Sequence, residues 1–402
     1  MTLTQRPKIG VFLAALSLLA CLALPASLKS QVHNSSQPRY ILTDLKPVGN
    51  PPGQAFSITR NGIISGDFQA ENGFMHAALW LNQFRFDLGK TYLQGSTNST
   101  SFGANVLGQS VGTLQTATVD PNGEDFCGYK SLGLAGNGGT CVPFVWQIGK
   151  GFTFLPTLGG PNGGVNQINV HGQIVGQAET SEIDPGCPAP QKLQAKPVLW
   201  THNKVQQLET VAGDLQGIAL AINDRGQIAG ASGECALFSP QFFLNLQPLH
   251  VLLWEPGQTK PTDLGNLGGS GHFGGNIAFN INNRGEVVGN SDLPGDTANH
   301  GFLWTRDKGM KDLGTLPGDV ISGALSINNK AQVVGVSIDA NFNLRAYIWQ
   351  NGQMSDLNEL IPANANLTLV LACGINDDGQ IVGLAVDKTS GDPHAFLLTP
   401  KR

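Results

Sequence analysis

Apolar residues along this chain fall in short runs separated by turn residues. No stretch keeps a 3.6-residue apolar period long enough for an ordinary helix, so the pattern predicts β-strands throughout. In one representative stretch, strands are predicted at 276–282, 286–290, 300–304 and 310–313, with a tight turn at 283–285. Four antiparallel strands of this kind form one blade of a propeller.

A short phrase recurs seven times, most clearly as Ile-Asn-Asn-Arg-Gly-Glu-Val-Val-Gly at 281–289 and Ile-Asn-Asp-Asp-Gly-Gln-Ile-Val-Gly at 375–383. Every copy ends in a glycine, and these are Gly66, Gly112, Gly176, Gly230, Gly289, Gly335 and Gly383. Seven residues earlier stand Thr59, Asn105, Asn169, Asn223, Asn282, Asn328 and Asn376. The mean spacing of about 53 residues suits a propeller blade and is too long for one coil of a β-solenoid. The repeat therefore predicts seven blades.

The two ends of the repeat array complement each other. The seventh copy stops after its third strand at 394–398, whereas a strand-like segment at 40–45 precedes the first copy and resembles the fourth strands at 310–313 and 354–357. We therefore expect the N-terminal strand to complete the last blade and to close the ring without a free edge. The predicted fold is all-β, with residues 40–399 forming a single seven-bladed β-propeller of four-stranded antiparallel blades.

A basic residue and an aspartate recur together in five of the repeats. The third strand begins with His76, His250, His300, Arg345 or His394, and the fourth strand carries Asp87, Asp263, Asp312, Asp356 or, through ring closure, Asp44. We interpret each pair as a charge-assisted contact inside one blade. Because the histidines belong to separate blades, they are predicted to be structural, and no metal site is predicted.

The composition agrees with an exported β-protein and does not favour binding to nucleic acid. Charged residues make up 13% of the chain, against about a quarter in average domains. The formal net charge is −5, and no basic stripe with interleaved aromatic residues is present. A nucleic-acid partner is therefore not expected.

The first 26 residues have the pattern of a signal peptide. Arg6 and Lys8 precede an apolar run at 9–24, and cleavage after Ala26 would leave a linker at 27–39 before the propeller. The segment ending in Cys21 also resembles a lipoprotein box, so lipid anchoring at Cys21 is the alternative to secretion or release into the periplasm. Nothing later in the sequence is apolar for long enough to span a bilayer, and we expect a monomer.

Export permits disulfides, and five cysteines follow the signal peptide. Cys127 and Cys141 bracket a long insertion in the second repeat, where a bridge would tie down a loop that lacks its own core. Cys187 and Cys235 lie in equivalent loops of the third and fourth repeats and are predicted to form the second pair. Cys373 remains unpaired and is interpreted as a small buried apolar residue.

The repeated letters also carry a family resemblance. His394-Ala395-Phe396-Leu397, the segment His-Gly-Phe-Leu-Trp at 300–304 and the segment Asp-Leu-Gly-Thr-Leu at 312–316 resemble the HAF-repeat family of bacterial proteins. The resemblance covers about residues 40–398, although the second and third repeats lack both the histidine and the Asp-Leu pair. It implies an extracellular repeat scaffold, with no catalytic residue or cofactor to carry over.

The long loops are predicted to lie on one face of the ring, because the turns between first and second strands and between third and fourth strands are short. Insertions occur at 116–141, 179–196, 232–248 and 264–275, and the exposed aromatic and histidine candidates for binding there are Phe126, Tyr129, Phe238, Phe242, Phe243, His272 and Phe273. The predicted function is non-catalytic binding of an extracellular protein, peptide or glycan through this long-loop face, without a cofactor.

The alternative is a secreted carbohydrate-active enzyme, a hydrolase or lyase, with its site in the central pocket. Glycoside hydrolysis needs two carboxyl groups at a defined separation. The acidic residues of the loops are scattered, and no pair among them stands apart.

Overall fold

The structure, a computed structural model, describes residues 39–45, 53–81, 84–91, 97–131, 134, 138–239 and 244–401. The predicted signal peptide at 1–26, Cys21, and Phe242 and Phe243 lie outside these residues, as does the linker except for Arg39. No helix in the described ranges is long and apolar enough to cross a membrane.

The described strands form seven antiparallel sheets of four strands each, numbered here as blades 1 to 7. Blade 1 contains β2 (Gly53–Ile58), β3 (Ile64–Gln69), β4 (Met75–Leu81) and β5 (Phe84–Asp87). Blade 2 contains β6 (Ser99–Ala104), β7 (Gln109–Val119), β8 (Gly139–Gln147) and β9 (Gly151–Phe154). Blade 3 contains β10 (Gly159–Ile168), β11 (Ile174–Ile183), β12 (Leu193–Thr201) and β13 (Lys204–Gln207). Blade 4 contains β14 (Gln216–Ile222), β15 (Ile228–Ser239), β16 (Leu244–Trp254) and β17 (Thr262–Asp263).

The remaining blades follow the same plan. Blade 5 contains β18 (Ile277–Ile281), β19 (Val287–Asp292), β20 (Asn299–Thr305) and β21 (Gly309–Asp312). Blade 6 contains β22 (Asp319–Ile327), β23 (Val333–Asp339), β24 (Leu344–Gln350) and β25 (Gln353–Asp356). Blade 7 contains β26 (Leu367–Ile375), β27 (Ile381–Asp387), β28 (Pro393–Pro400) and β1 (Tyr40–Asp44). Short 3-10 helices occur at Gly89–Thr91, Pro294–Asp296 and Leu357–Leu360.

The first strand of each blade faces the centre of the ring. The seven innermost strands contact one another in sequence, and β26 of the last blade contacts β2 of the first. The sheets are therefore the blades of a closed propeller around a central channel, as the repeat predicts. In blade 5 the predicted strands are all present, with ends that differ by no more than two residues.

The predicted ring closure is confirmed. Strand β1 pairs antiparallel with β28, in a register that sets Tyr40 opposite Pro400 and Asp44 opposite Phe396. Outside the strand, the amide of Arg39 donates to the carbonyl of Leu360 at 2.9 Å. Tyr40 at the start of β1 and Leu45 directly after its end are both buried, so the N-terminal strand is part of the core of the last blade.

The repeated asparagines hold neighbouring blades together. Asn282, for example, accepts backbone hydrogen bonds from Arg284 and Glu286 within its own turn, and its Nδ2 donates to the carbonyl of Asn328 in the next blade at 3.0 Å. The same bond between blades is made by Asn105, Asn169, Asn223, Asn328 and Asn376. Each asparagine therefore stabilises its own turn and the junction with the next blade, and the sequence did not indicate this junction.

The repeated glycines allow the inner two strands to approach unusually closely. A Cβ atom at Gly289 would overlap the carbonyl oxygen of Ile277 on the inner strand, and the six equivalent glycines are crowded in the same way. Opposite each glycine the inner strand carries a β-bulge, an extra residue without a partner on the second strand. The seven bulge residues are Phe56, Phe102, Asn166, Leu220, Phe279, Leu325 and Cys373.

The predicted His–Asp contacts are present in three blades. His76 lies 2.9 Å from Asp87, and the corresponding distances in blades 5 and 7 are both 3.0 Å. In blade 4 the prediction is wrong: His250 contacts Asp214 at 2.9 Å, because the loop that leads into β14 brings this carboxylate into the position expected for Asp263.

In blade 6 the predicted contact between Arg345 and Asp356 is present, and a second carboxylate joins it. The Arg345 guanidinium lies 2.6 Å from the carboxylate of Asp319 on the inner strand and 3.6 Å from the carboxylate of the predicted partner, Asp356. An arginine reaches farther than a histidine and offers several donors, so it can contact both carboxylates.

Candidate functional site

The central channel contains a cavity of about 270 Å³. All seven bulge residues line it, and each is only half-buried, as expected for side chains that face a channel. Because a bulge interrupts the alternation of a strand, it directs one additional side chain from every blade toward the axis. Six of the seven carry an apolar side chain or a thiol, and the exception is Asn166, whose Nδ2 donates to the carbonyl of Ala219 at 3.0 Å.

The insertion of blade 2 forms the wall of the cavity on the long-loop side. Phe126, Tyr129 and Leu134 line the cavity, and the predicted disulfide between Cys127 and Cys141 fixes the insertion to β8. Phe126 and Tyr129 were expected to be exposed, but their side chains are 7% and 5% exposed. This expectation is wrong because the insertion folds inward over the channel, where its aromatic residues are covered by the blades.

A small polar cluster interrupts the apolar wall between blades 7, 1 and 2. The Thr100 hydroxyl donates to Oδ2 of Asp67 at 3.1 Å and lies 3.2 Å from the Tyr129 hydroxyl. Nearby, Nε2 of Gln54 donates to Sγ of Cys373 at 3.6 Å. Cys373 is unpaired, as predicted, but it faces the cavity instead of the core.

The electrostatics of this cluster favour the neutral forms of its titratable groups. Burial raises the pKa of the Asp67 carboxyl to about 7, and the hydrogen bond from Thr100 opposes that shift. Burial also raises the pKa of the Cys373 thiol to about 12, which disfavours the reactive thiolate. Asp67 is the only carboxyl group among the described residues that line the cavity, and no Lys, Arg or His is among them.

Two of the other predicted binding residues, His272 and Phe273, do not line the cavity. His272 and Phe273 are exposed in the loop between blades 4 and 5, and Phe273 is 46% exposed. Phe238 belongs to β15, and the structure does not describe its side chain. Sequence reasoning therefore identified Phe126 and Tyr129 as candidate site residues, but it missed Asp67, Thr100 and the bulge residues.

His272 forms a polar contact that differs from a catalytic triad. The Ser270 hydroxyl donates to Asp296 at 2.5 Å and lies 2.7 Å from Nδ1 of His272. In a triad the histidine lies between serine and aspartate and accepts the serine proton. Here the serine occupies the middle position, so the arrangement does not activate its hydroxyl.

A second disulfide joins neighbouring blades on the long-loop face. Cys187 and Cys235 are bonded, as predicted, and connect the loop that follows β11 in blade 3 to β15 of blade 4. Asp184 places a carboxylate oxygen within 4.8 Å of both sulfurs, which is close enough for shared metal coordination. Because the sulfurs are bonded to each other, they are not available as thiolate ligands.

Comparisons with known proteins do not identify a family for this chain. No protein-family model matches the chain, and no curated protein matches it. Solved structures similar to it include the extracellular domain of a one-component system from B. thetaiotaomicron, with 9% identity, a TM-score of 0.48, and coverage of 90% of this chain and 40% of that chain. An oligogalacturonate lyase in complex with manganese has 11% identity, a TM-score of 0.48, and coverage of 92% and 96%. A sialidase from Trypanosoma rangeli has 10% identity, a TM-score of 0.39, and coverage of 87% and 55%.

This chain spans less than half the length of the first of these proteins. At identities and TM-scores this low, the similarity says nothing about the function of this chain, since one fold can host many unrelated functions. The resemblance to the HAF-repeat family stays a prediction.

The buried carboxyl group makes a prediction about stability and pH. Its folded-state pKa is raised to about 7, above an unfolded value of about 4, so the folded state holds a proton that the unfolded state has lost. Stability should therefore decrease as the pH rises through this window, by about 2–3 kcal/mol from Asp67 between pH 5 and pH 8. Burial also raises the pKa of Glu179, to about 8, and contributes in the same direction.

Urea unfolding at several pH values checks this. D67N should make the decrease smaller by about 2–3 kcal/mol and leave the part due to Glu179, whereas D378N, which changes an exposed turn residue, should leave the whole decrease as in the unchanged protein. An identical pH dependence in D67N would show that Asp67 is ionised in the folded state.

Proposed function

We propose that this chain is an exported, non-catalytic binding protein that takes a ligand from the long-loop face into the central cavity. The cavity itself supports this most directly: about 270 Å³ of space lies on the axis of the ring, with mostly apolar walls and a few convergent polar groups. Binding sites for small molecules typically combine these features. The two disulfides and the N-terminal sequence support export.

The walls of the cavity belong to a rigid framework. Bonds between asparagines and the next blade tie the inner strands together, and one disulfide fixes the blade 2 insertion. The insertion also contacts blade 3, because Glu124 accepts backbone hydrogen bonds from Lys192 and Leu193 at 2.6 and 2.9 Å. A site that is already formed avoids much of the entropy cost of ordering its walls on binding.

The size of the cavity favours a small ligand, or one side chain of a peptide, over a long glycan. An apolar cavity of about 150 Å³ holds one benzene-sized molecule. A cavity of 270 Å³ therefore admits a molecule with one ring and a short chain. A glycan needs many hydrogen-bonding groups, whereas the ring of bulge residues is mainly apolar.

The chemistry of the walls supports binding over catalysis. Glycoside hydrolysis needs two carboxyl groups, and Asp67 is the only one on the described wall. The raised pKa of the Cys373 thiol, about 12, also disfavours nucleophilic catalysis by this residue.

A neutral apolar probe tests the proposal. In isothermal titration calorimetry, the neutral one-ring probe 3-phenyl-1-propanol should bind the purified protein, and L220W should abolish this binding because the tryptophan side chain fills the channel. L107W is the matched control, since Leu107 is 62% exposed in the turn that ends β6, on the short-turn face. Both variants should keep the circular dichroism spectrum of the unchanged protein.

Equal affinity of L220W and L107W for 3-phenyl-1-propanol would contradict binding in the cavity. Incubation with mixtures of oligosaccharides and peptides, followed by mass spectrometry of the products, tests whether the protein is non-catalytic. A new product would contradict the assignment of a non-catalytic protein.

A further inference from the structure

We propose that the cavity selects small hydrophobic amines, with the ammonium group paired to Asp67 and the apolar body packed against the ring of bulge residues. This inference rests on the proposed function and specifies the chemical class of its ligand. It depends on three observations: the state of the carboxyl group, the aromatic side chains at the axis, and the absence of cationic side chains from the described wall.

Asp67 has unused capacity to bind a partner. Its side chain lies on the cavity wall and is 7% exposed. Oδ2 accepts one hydrogen bond from Thr100, and no other described side chain or amide donates to the carboxyl group. A buried carboxylate is costly unless a cation or several donors compensate it, so the group is well placed to accept an ammonium ion.

The groups around Asp67 do not provide that cation. The titratable side chains closest to it are Tyr129 and Cys373, and burial raises the pKa of both, so they are neutral near pH 7. No Lys, Arg or His is found among the described lining residues. A ligand that carries one positive charge would therefore supply the missing partner, whereas an anionic ligand would be repelled.

The aromatic residues at the axis suit the rest of such a molecule. Phe56 and Phe102 have ring centroids 5.2 Å apart, and Phe279 lines the same cavity from blade 5. Leu220 and Leu325 complete an apolar surface on blades 4 and 6. Phenylalanine rings attract a nearby cation and also pack against hydrocarbon, so both parts of a hydrophobic amine find a favourable surface.

The pairing links binding to pH. Below pH 7 an ammonium ligand must displace the proton that Asp67 holds, so its affinity should decrease by nearly tenfold for each pH unit below 7. Above that pH, affinity should level off until the amine itself loses its proton. A neutral ligand of the same shape should show no such dependence, because it does not require the ionised carboxylate.

Isothermal titration calorimetry with two matched probes tests the inference. Phenethylamine, which is cationic at pH 8, should bind at least tenfold more tightly than its neutral isostere 2-phenylethanol. D67N should reduce this preference to about one and leave the affinity for 2-phenylethanol unchanged, and D378N should retain the preference. If D67N fails to fold, the pH dependence of the two probes in the unchanged protein still decides the matter.

The outcomes separate this inference from the proposed function. If 2-phenylethanol binds as tightly as phenethylamine at pH 8, or if the preference persists in D67N, the amine assignment is wrong while the cavity remains a binding site. If phenethylamine, 2-phenylethanol and 3-phenyl-1-propanol all fail to bind, the proposed function is wrong. Tighter binding of Nα-acetyl-lysine methylamide than of phenethylamine would identify a peptide lysine as the ligand and overturn the assignment to small amines.

Discussion

Deleting residues 40–45 should open the propeller and lower the free energy of unfolding by several kcal/mol. The deletion removes β1, whose five residues pair with β28, together with two buried side chains, Tyr40 and Leu45. Complete burial of two large apolar side chains stabilises a protein by about 3–6 kcal/mol. The exposed edge of β28 should also pair with other molecules, so the truncated protein should form oligomers.

Thermal unfolding and analytical ultracentrifugation measure both effects. I41T is the matched control, because Ile41 is 52% exposed and the substitution leaves the backbone pairing intact. A synthetic peptide of residues 39–45 should restore the monomer and raise the melting temperature of the truncated protein. A truncated protein that stays monomeric and melts like I41T would contradict ring closure by this strand.

G289A should destabilise the protein by about 3–5 kcal/mol, a large effect for the addition of one methyl group. The new Cβ would overlap the carbonyl oxygen of Ile277 and crowd the Cα of Ala278. Both atoms belong to the backbone, so rotation of a side chain cannot relieve the overlap. The inner strand must move away from β19, which disrupts the bulge that places Phe279 in the channel.

G309A in the same blade is the control for this substitution. Gly309 also needs a backbone conformation that disfavours other residues, with φ at +69°, but no atom lies within 4 Å of a Cβ added there. Its replacement should cost about 1 kcal/mol, from backbone strain alone. Equal destabilisation by the two substitutions in urea unfolding would show that close strand approach is not the reason for the repeated glycine.

The regular part of the fold could be predicted because every repeat needs the same close approach of its two inner strands and the same turn between them. A glycine such as Gly289 and an asparagine such as Asn282 are needed wherever the inner strands approach and turn, so both recur with a fixed separation. The strand at 40–45 could be assigned to the last blade because the seventh repeat lacks a fourth strand. The two disulfides could be inferred because one pair of cysteines brackets a single insertion and the other pair was placed in equivalent loops of neighbouring repeats. None of these inferences required knowledge of contacts between distant side chains.

The cavity could not be predicted by alternation, because a bulge breaks the two-residue period of the inner strand. The sequence nevertheless marks these positions. Three residues before each repeated Asn or Thr, the residue type differs between repeats and is Phe, Leu, Asn or Cys. Asp67 had a signal of a similar kind. It directly follows the closing glycine, where other repeats have Thr113, Gln177 or Leu384, and these three residues also line the cavity.

Other differences came from contacts that depend on the assembled ring. Phe126 and Tyr129 belong to a loop that seemed exposed, and only its packing over the channel buries them. His250 likewise meets Asp214 of the preceding loop instead of Asp263 in its own blade. In both cases the contact joins two segments that are far apart in the sequence. A local sequence pattern does not determine how such segments lie relative to each other.

The bulges separate the residues that build this protein from the residues that would give it specificity. Each bulge side chain faces open space, while the neighbouring glycine and asparagine maintain the strand spacing and the junctions between blades. Evolution can therefore exchange seven positions in the channel one at a time, each supplied by a different repeat, with little effect on folding. Single substitutions at these seven positions would therefore change the shape and chemistry of the cavity while the strands and blade junctions stay the same.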